Sequence, residues 1–242
     1  MKLHCLAIAV LWIGAAAIAQ KVPKKLHLLV FSKTTGYRHE SIAAGKQMFL
    51  EMAAQYQWQA DTTEDASYFT PESLQQYQIV VFMNTTGNVL DEQQQQAFEN
   101  YIKAGGRFLG IHAATDTEYQ WPWFNQLVGA YFASHPKPQQ VDYVVLDAKH
   151  PAVSFWAPKV NRLEEIYDFK QLQKDRLHFI MRADENSYQG GKMGEFHPAA
   201  WCQKMEGGRA FYTALGHHPQ TYADKDFRRH IVGGIIWLMR KK

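Results

Sequence analysis

Along the first half of the chain, short apolar runs alternate with longer stretches whose apolar positions recur every three or four residues. Leu26-His27-Leu28-Leu29-Val30-Phe31 and Ile79-Val80-Val81-Phe82-Met83 are nearly continuous apolar runs. That is the pattern of strands buried on both faces of a parallel sheet. Between them, Ile42, Gly45, Phe49, Met52, Ala53 and Tyr56 form the apolar stripe of a helix that begins near Ser41. A short strand is expected over 58–62. Thr70-Pro71-Glu72 then reads as a helix start, with a capping hydroxyl, proline in the first turn and an acid behind it.

The alternation continues through residue 112. Asp91 and Gln94 have the spacing of a capping box. Ala97, Phe98, Tyr101 and Ile102 give that helix its buried stripe, Gly105-Gly106 stops it, and a fourth strand follows over 107–112. Repeated strand–helix units predict an α/β fold: a doubly wound, mostly parallel sheet flanked by helices. Ligands of such sheets bind beyond the carboxyl ends of the strands. The second half is richer in strands, expected over 141–146, 165–169, 177–181, 199–204 and 210–215, and closes with a helix from about Asp224. Residues 113–140 show no strand periodicity and read as a long, aromatic and proline-bearing segment, a kind often functional in compact domains.

The first residues obey a different rule. Lys2, an apolar run from Leu6 to Ile13, and small residues ending in Ala17-Ile18-Ala19 have the order of a cleavable secretory signal. The run is shorter than the roughly 20 residues of a spanning helix. The expected organisation is therefore a signal peptide over 1–19 and one domain over 24–242, secreted or periplasmic after cleavage near Ala19, without stable membrane insertion. Of the two cysteines, Cys5 lies in the signal, so Cys202 has no internal disulfide partner. The net charge of +3 includes Lys2, and no cluster of Lys and Arg interleaves with aromatics, which argues against nucleic acid as a partner.

Strand order also gathers candidate chemistry. His39 follows the first strand, His112 and Asp116 follow the fourth, and His217 follows a late one, so residues far apart in sequence converge at one sheet edge. His135 lies in the long segment that covers this edge, and Glu165 stands at the expected start of a strand. Three imidazoles and a carboxylate suit zinc or a similar divalent cation with an open position. The same residue types also suit metal-free acid–base catalysis. We take His39, His112, His135 and His217 as candidate metal ligands, and His112, Asp116 and Glu165 as candidate catalytic residues. Tyr37, Trp121 and Trp123 are candidate surfaces for sugar rings. No HExxH or other close-spaced metal motif is present, and no organic cofactor is expected.

Five motifs together resemble the trehalose-utilisation (ThuA-like) family: Gly36-Tyr37-Arg38-His39-Glu40-Ser41, Gly110-Ile111-His112-Ala113-Ala114-Thr115-Asp116-Thr117, Ser134-His135-Pro136, the run from Arg209 to Leu215, and Gly216-His217-His218-Pro219. The resemblance implies the class I glutamine-amidotransferase-like fold and a carbohydrate substrate, trehalose-like or a 3-keto sugar. Amidotransferases of that fold place a cysteine in Gly-x-Cys-x-Gly, where this chain has Gly110-Ile111-His112-Ala113-Ala114. An imidazole there fits proton transfer or metal ligation, and the missing second glycine implies a less tight elbow. Cys202, set in mid-strand, is no substitute nucleophile. The implied function is an isomerase, hydratase or hydrolase of a sugar, not an amidotransferase. The alternative is a non-catalytic carbohydrate-binding or accessory protein on the same scaffold. Self-association stays open.

Overall fold

The structure, a computed structural model, describes residues 22–240. The proposed signal over 1–19 lies outside them. In chain order the elements are β1 (His27–Phe31), α1 (Ile42–Tyr56), β2 (Gln59–Thr63), α2 (Pro71–Leu74), β3 (Ile79–Met83), α3 (Glu92–Lys103), β4 (Arg107–Ile111), α4 (Pro122–Val128) and β5 (Tyr131–Ser134). Then come β6 (Gln139–Val145), β7 (Lys159–Glu164), β8 (Asp168–Lys170), β9 (His178–Ala183), β10 (His197–Met205), β11 (Gly208–Thr213) and α5 (Lys225–Leu238). Nine strands form one sheet in the order β2-β1-β3-β4-β11-β10-β9-β6-β7. It is parallel from β2 to β11 and antiparallel from β11 to β7. The predicted α/β class holds, and the strand-rich second half makes the sheet mixed.

The apolar runs are buried for the reason their pattern gives. Every residue of β3 is fully buried, because alternate side chains face opposite helical layers. Phe82 meets Phe98 of α3 and Phe124 of α4, while Met83 points at α1. At that contact only Gly45 fits, since a Cβ there would sit 2.2 Å from Met83 Sδ. Burial of each large side chain contributes roughly 1.5–3 kcal/mol. The capping box of α3 is present: Asp91 accepts the Gln94 N–H, and the Gln94 side chain accepts the Asp91 N–H. Thr70 caps α2, and Asp224 caps α5.

Two expectations need correction. Residues 113–140 are not irregular throughout. They hold a 3-10 turn over His112–Asp116, then α4, started by Pro122 and ended by Gly129, and then β5, which pairs antiparallel with β8. The strand expected over 165–169 is mostly absent, since only residues 168 and 169 lie in a strand, β8. β7, whose Lys159, Asn161 and Leu163 are exposed, ends at Glu164, so Glu165 follows a strand rather than starting one. β7 lies at the edge of the sheet, where one side of its backbone is unpaired and polar side chains are tolerated. Among the described residues no helix is long and apolar enough to cross a membrane.

Candidate functional site

The carboxyl ends of β1, β4, β7 and β11 deliver one residue each to a common point: His39, His112, Glu165 and His217. One potential ligand atom from each lies within 4.8 Å of the others. β7 joins the sheet four places away from β11, yet Glu164 accepts a hydrogen bond from the Thr221 hydroxyl at 3.0 Å. The antiparallel half therefore curls back over the end of the parallel half, and Glu165 comes with it.

His112 occupies the elbow. Its φ of +47° lies in the left-handed region, which a non-glycine residue enters at a cost of order 1–3 kcal/mol unless its surroundings fix it. The elbow is sharp even without a second glycine. Its ring is fully buried, and its Nδ1 lies 2.9 Å from the Ala214 carbonyl oxygen. That oxygen only accepts, so Nδ1 carries the proton and the Nε2 lone pair turns to the cluster. Nε2 lies 3.2 Å from His217 Nδ1 and 3.5 Å from Glu165 Oε2, and His217 Nδ1 is 3.1 Å from the same oxygen. His39 packs edge-on to both rings, with centroids 4.9 and 5.3 Å away.

Electrostatics keep His39 and His112 neutral beside one anion. Burial, reinforced by the neighbouring His112 and His217, lowers the His39 imidazole to about 3. Burial likewise lowers His112. Burial pushes the Glu165 carboxyl up, but the rings of His112 and His217 pull it further down, below the usual carboxylate range. Neutral imidazoles beside an ionised carboxylate are the forms that ligate a divalent cation. His39 Nδ1 is buried with no hydrogen-bond partner, a lone pair or proton left unused by the fold. The donor set fits zinc or a similar ion.

The cluster opens onto a cavity of about 400 Å³ lined by Tyr37, His39, Asp116, Phe132, His135, Glu165, Tyr167 and His217. His135 stands one step outside the cluster. Its Nδ1–H is shared between Glu165 Oε1 at 3.0 Å and the Pro136 carbonyl at 2.9 Å. Asp116 lines the cavity wall, is raised by burial, and accepts the Tyr119 hydroxyl at 2.5 Å. Tyr37 is 65% exposed at the mouth. Trp121 and Trp123 do not line the cavity. They stack on each other at 5.1 Å, pack against Phe98, and donate to Glu99 and Glu206, because α4 turns that face toward α3.

Phe132 and Tyr167 line the cavity without having been singled out from the sequence. Tyr167 lies 4.2 Å from the His112 ring and 4.3 Å from Phe132. Its signal was its place two residues after Glu165, legible only once Glu165 is known to follow a strand. Cys202 is buried in β10, two strands from β4, does not line the cavity, and burial pushes its thiol up to about 12.

Comparison with known proteins agrees with this architecture. The model of the ThuA family, described as trehalose utilisation, matches residues 27–238. A ThuA-like protein from Bacteroides uniformis superposes with a TM-score of 0.76 at 21% identity, covering 89% of this chain and 92% of its own. Another from Parabacteroides merdae gives 0.74 at 18% identity, covering 90% and 93%. Two penicillin-insensitive murein endopeptidases of Klebsiella pneumoniae are 40% identical over 64 residues, 26% of this chain. The match spans only 23% of the length of those curated relatives.

Proposed function

We propose that this chain, which belongs to the trehalose-utilisation (ThuA) family, is an exported enzyme that acts on a sugar or keto-sugar. His39, His112, His217 and Glu165 would hold a divalent cation. The observation that carries the reading is the convergence of three imidazoles and an ionised carboxylate, from four separate strand ends, at the floor of an aromatic-walled cavity. A cation held there would polarise a carbonyl or hydroxyl oxygen of the substrate.

The chain's own groups supply the rest. Tyr37 and Phe132 offer ring faces to the C–H faces of a sugar. The Tyr167 hydroxyl lies 3.4 Å from His39 Nε2 and can orient a substrate oxygen beside it. Glu165 holds His135 by Nδ1, so His135 Nε2 is the atom placed to take or give a proton at the cavity wall. Asp116, held by Tyr119, is a second proton carrier there. Proton transfer next to a carbonyl suits isomerase or hydratase chemistry. A hydrolase with two free carboxylates is less well supported, because Glu165 is engaged by His112, His135 and His217.

Metal analysis of purified mature protein, before and after chelation and zinc reconstitution, tests the cation. It should show stoichiometric zinc in the wild type and loss of it in folded His39→Ala, His112→Ala and His217→Ala proteins. Unchanged zinc in all three variants ends the shared-metal reading. Turnover of neutral 3-keto disaccharides that tracks zinc content supports the enzyme. Tight sugar binding without turnover would support a binding module instead. Export is tested by N-terminal mass spectrometry of protein from the native host, which should begin at Gln20. An intact Met1 rejects it.

A further inference from the structure

Glu164, immediately before the cluster residue Glu165, takes no part in the cavity. Its side chain is fully buried, a costly place for a carboxylate unless hydrogen bonds compensate. Its partners all belong to the segment that carries His217. Oε2 accepts the backbone N–H groups of Gly216 at 3.4 Å and His217 at 3.3 Å, and Oε1 accepts the Thr221 hydroxyl at 3.0 Å. The other side of the same peptide is also held. The Gly216 carbonyl accepts from Tyr222 Oη at 2.9 Å and Asn84 Nδ2 at 3.2 Å. Gly216 itself has φ +115°, open to glycine, and a Cβ there would lie 2.8 Å from Ile111 Cγ2.

From this geometry we propose that Glu164 is a positioning residue: it ties the end of β7 to the Gly216-His217 turn and so fixes the separation of Glu165 and His217. The two cluster groups come from opposite ends of the antiparallel half of the sheet, and the sheet ladder between β7 and β11 is too long a chain of pairings to fix a 3.1 Å contact. Glu164 replaces that indirect route with one side chain. It is the chain neighbour of one group and the backbone acceptor for the other. The proposal rests on the reading of the cluster as a cation site for its first test, but not for its second.

The first test measures zinc affinity by competition with a chromophoric chelator, using zinc alone. Glu164→Gln keeps the shape but turns an amide N–H₂ toward donors, and should weaken zinc binding about 10–100-fold, as loss of outer-shell partners does. His230→Phe, a core change remote in the fold, serves as the control for general destabilisation and should bind zinc like the wild type. Wild-type affinity in Glu164→Gln, or an equal loss in both variants, overturns the proposal. If Glu164→Gln does not fold, Thr221→Val removes one partner and should show a smaller loss. The second test needs no metal: nuclear Overhauser contacts between the His112 and His217 rings should be present in the wild type and absent in Glu164→Gln. A wild type that takes up no zinc rejects the cation reading alone. The ring contact then decides, and its survival in Glu164→Gln overturns the positioning role.

Discussion

Two of the places where the protein buries histidines, the cavity floor and the underside of α5, share burial but differ in chemistry. At α5, His150 and His230 straddle one residue: the Ala152 N–H donates to His150 Nδ1, and His230 Nδ1–H donates to the Ala152 carbonyl. Burial lowers His150 to about 3 and His230 to about 4, much as it lowers His39. Neutrality and burial are therefore common to His39, His112, His150 and His230. They differ in what the nitrogens face. His150 and His230 each serve a backbone group, with Cys202 Sγ 3.8 Å from His150 Nε2 and the Trp156 ring stacked on His230. His112 and His217 face each other and an ionised carboxylate. A buried imidazole becomes a candidate ligand only when its spare lone pair meets others around an anion.

The largest test of this contrast is zinc affinity. His39→Ala and His217→Ala should each weaken it by at least about 100-fold, because each removes a donor from a small set. His150→Gln should leave it unchanged. A comparable loss in His150→Gln would remove the distinction between the two groups.

Acid stability sharpens it from the other side. The His230 value is lowered in the folded state from 6.5 to about 4, so as pH falls below 6.5 the unfolded chain takes up the proton first. The stability due to this neutral ring is present above pH 6.5 and lost on the way down to about 4. The loss is about 1.4 kcal/mol per pH unit, or about 3 kcal/mol over the window. His150 adds to it in the same direction. Urea unfolding from pH 7 to 4 should show the slope, and His230→Phe should flatten it. An unchanged slope in that variant would mean that the ring does not stay neutral.

Two smaller effects follow. Cys202→Ser should cost roughly 1–2 kcal/mol in thermal unfolding, because the shorter C–O bond leaves the buried hydroxyl beyond hydrogen-bond reach of His150 Nε2, with turnover unchanged. Loss of turnover at equal stability would give the thiol a role. Tyr37→Ala should raise KM for a sugar several-fold, about 1 kcal/mol, whereas Trp123→Ala should not. The reverse result would move the sugar surface from the cavity mouth to α4.

The parallel half was legible in the sequence because its determinants are local. Buried runs made β1 and β3, and Asp91 with Gln94 marked the start of α3 within the span of a single turn. Strand-end placement brought out His39, His112 and His217 for the same reason, since each lies in the loop or turn after a recognisable strand. β7 was not legible. As an edge strand it carries Lys159, Asn161 and Arg162, and only its pairing with β6 makes it a strand. With β7 unseen, Glu165 had the wrong end of a strand and Glu164 had no visible purpose. The tryptophans misled because a large ring reads the same whether it lines a cavity or, as Trp121 and Trp123 do, packs between helices.

The position of β11 in the sheet also governs when the molecule can come into being. It lies between β4 and β10 at the junction of the parallel and antiparallel halves, yet of the described strands it is the last to be synthesised. Until residues 208–213 are available, β4 keeps an unpaired edge, the two halves have no seam, and His217 has not yet been made. Such long-range closure slows folding and leaves sticky intermediates exposed. Under the proposed export the same delay would be protective: the centre of the sheet cannot lock before β11 has emerged.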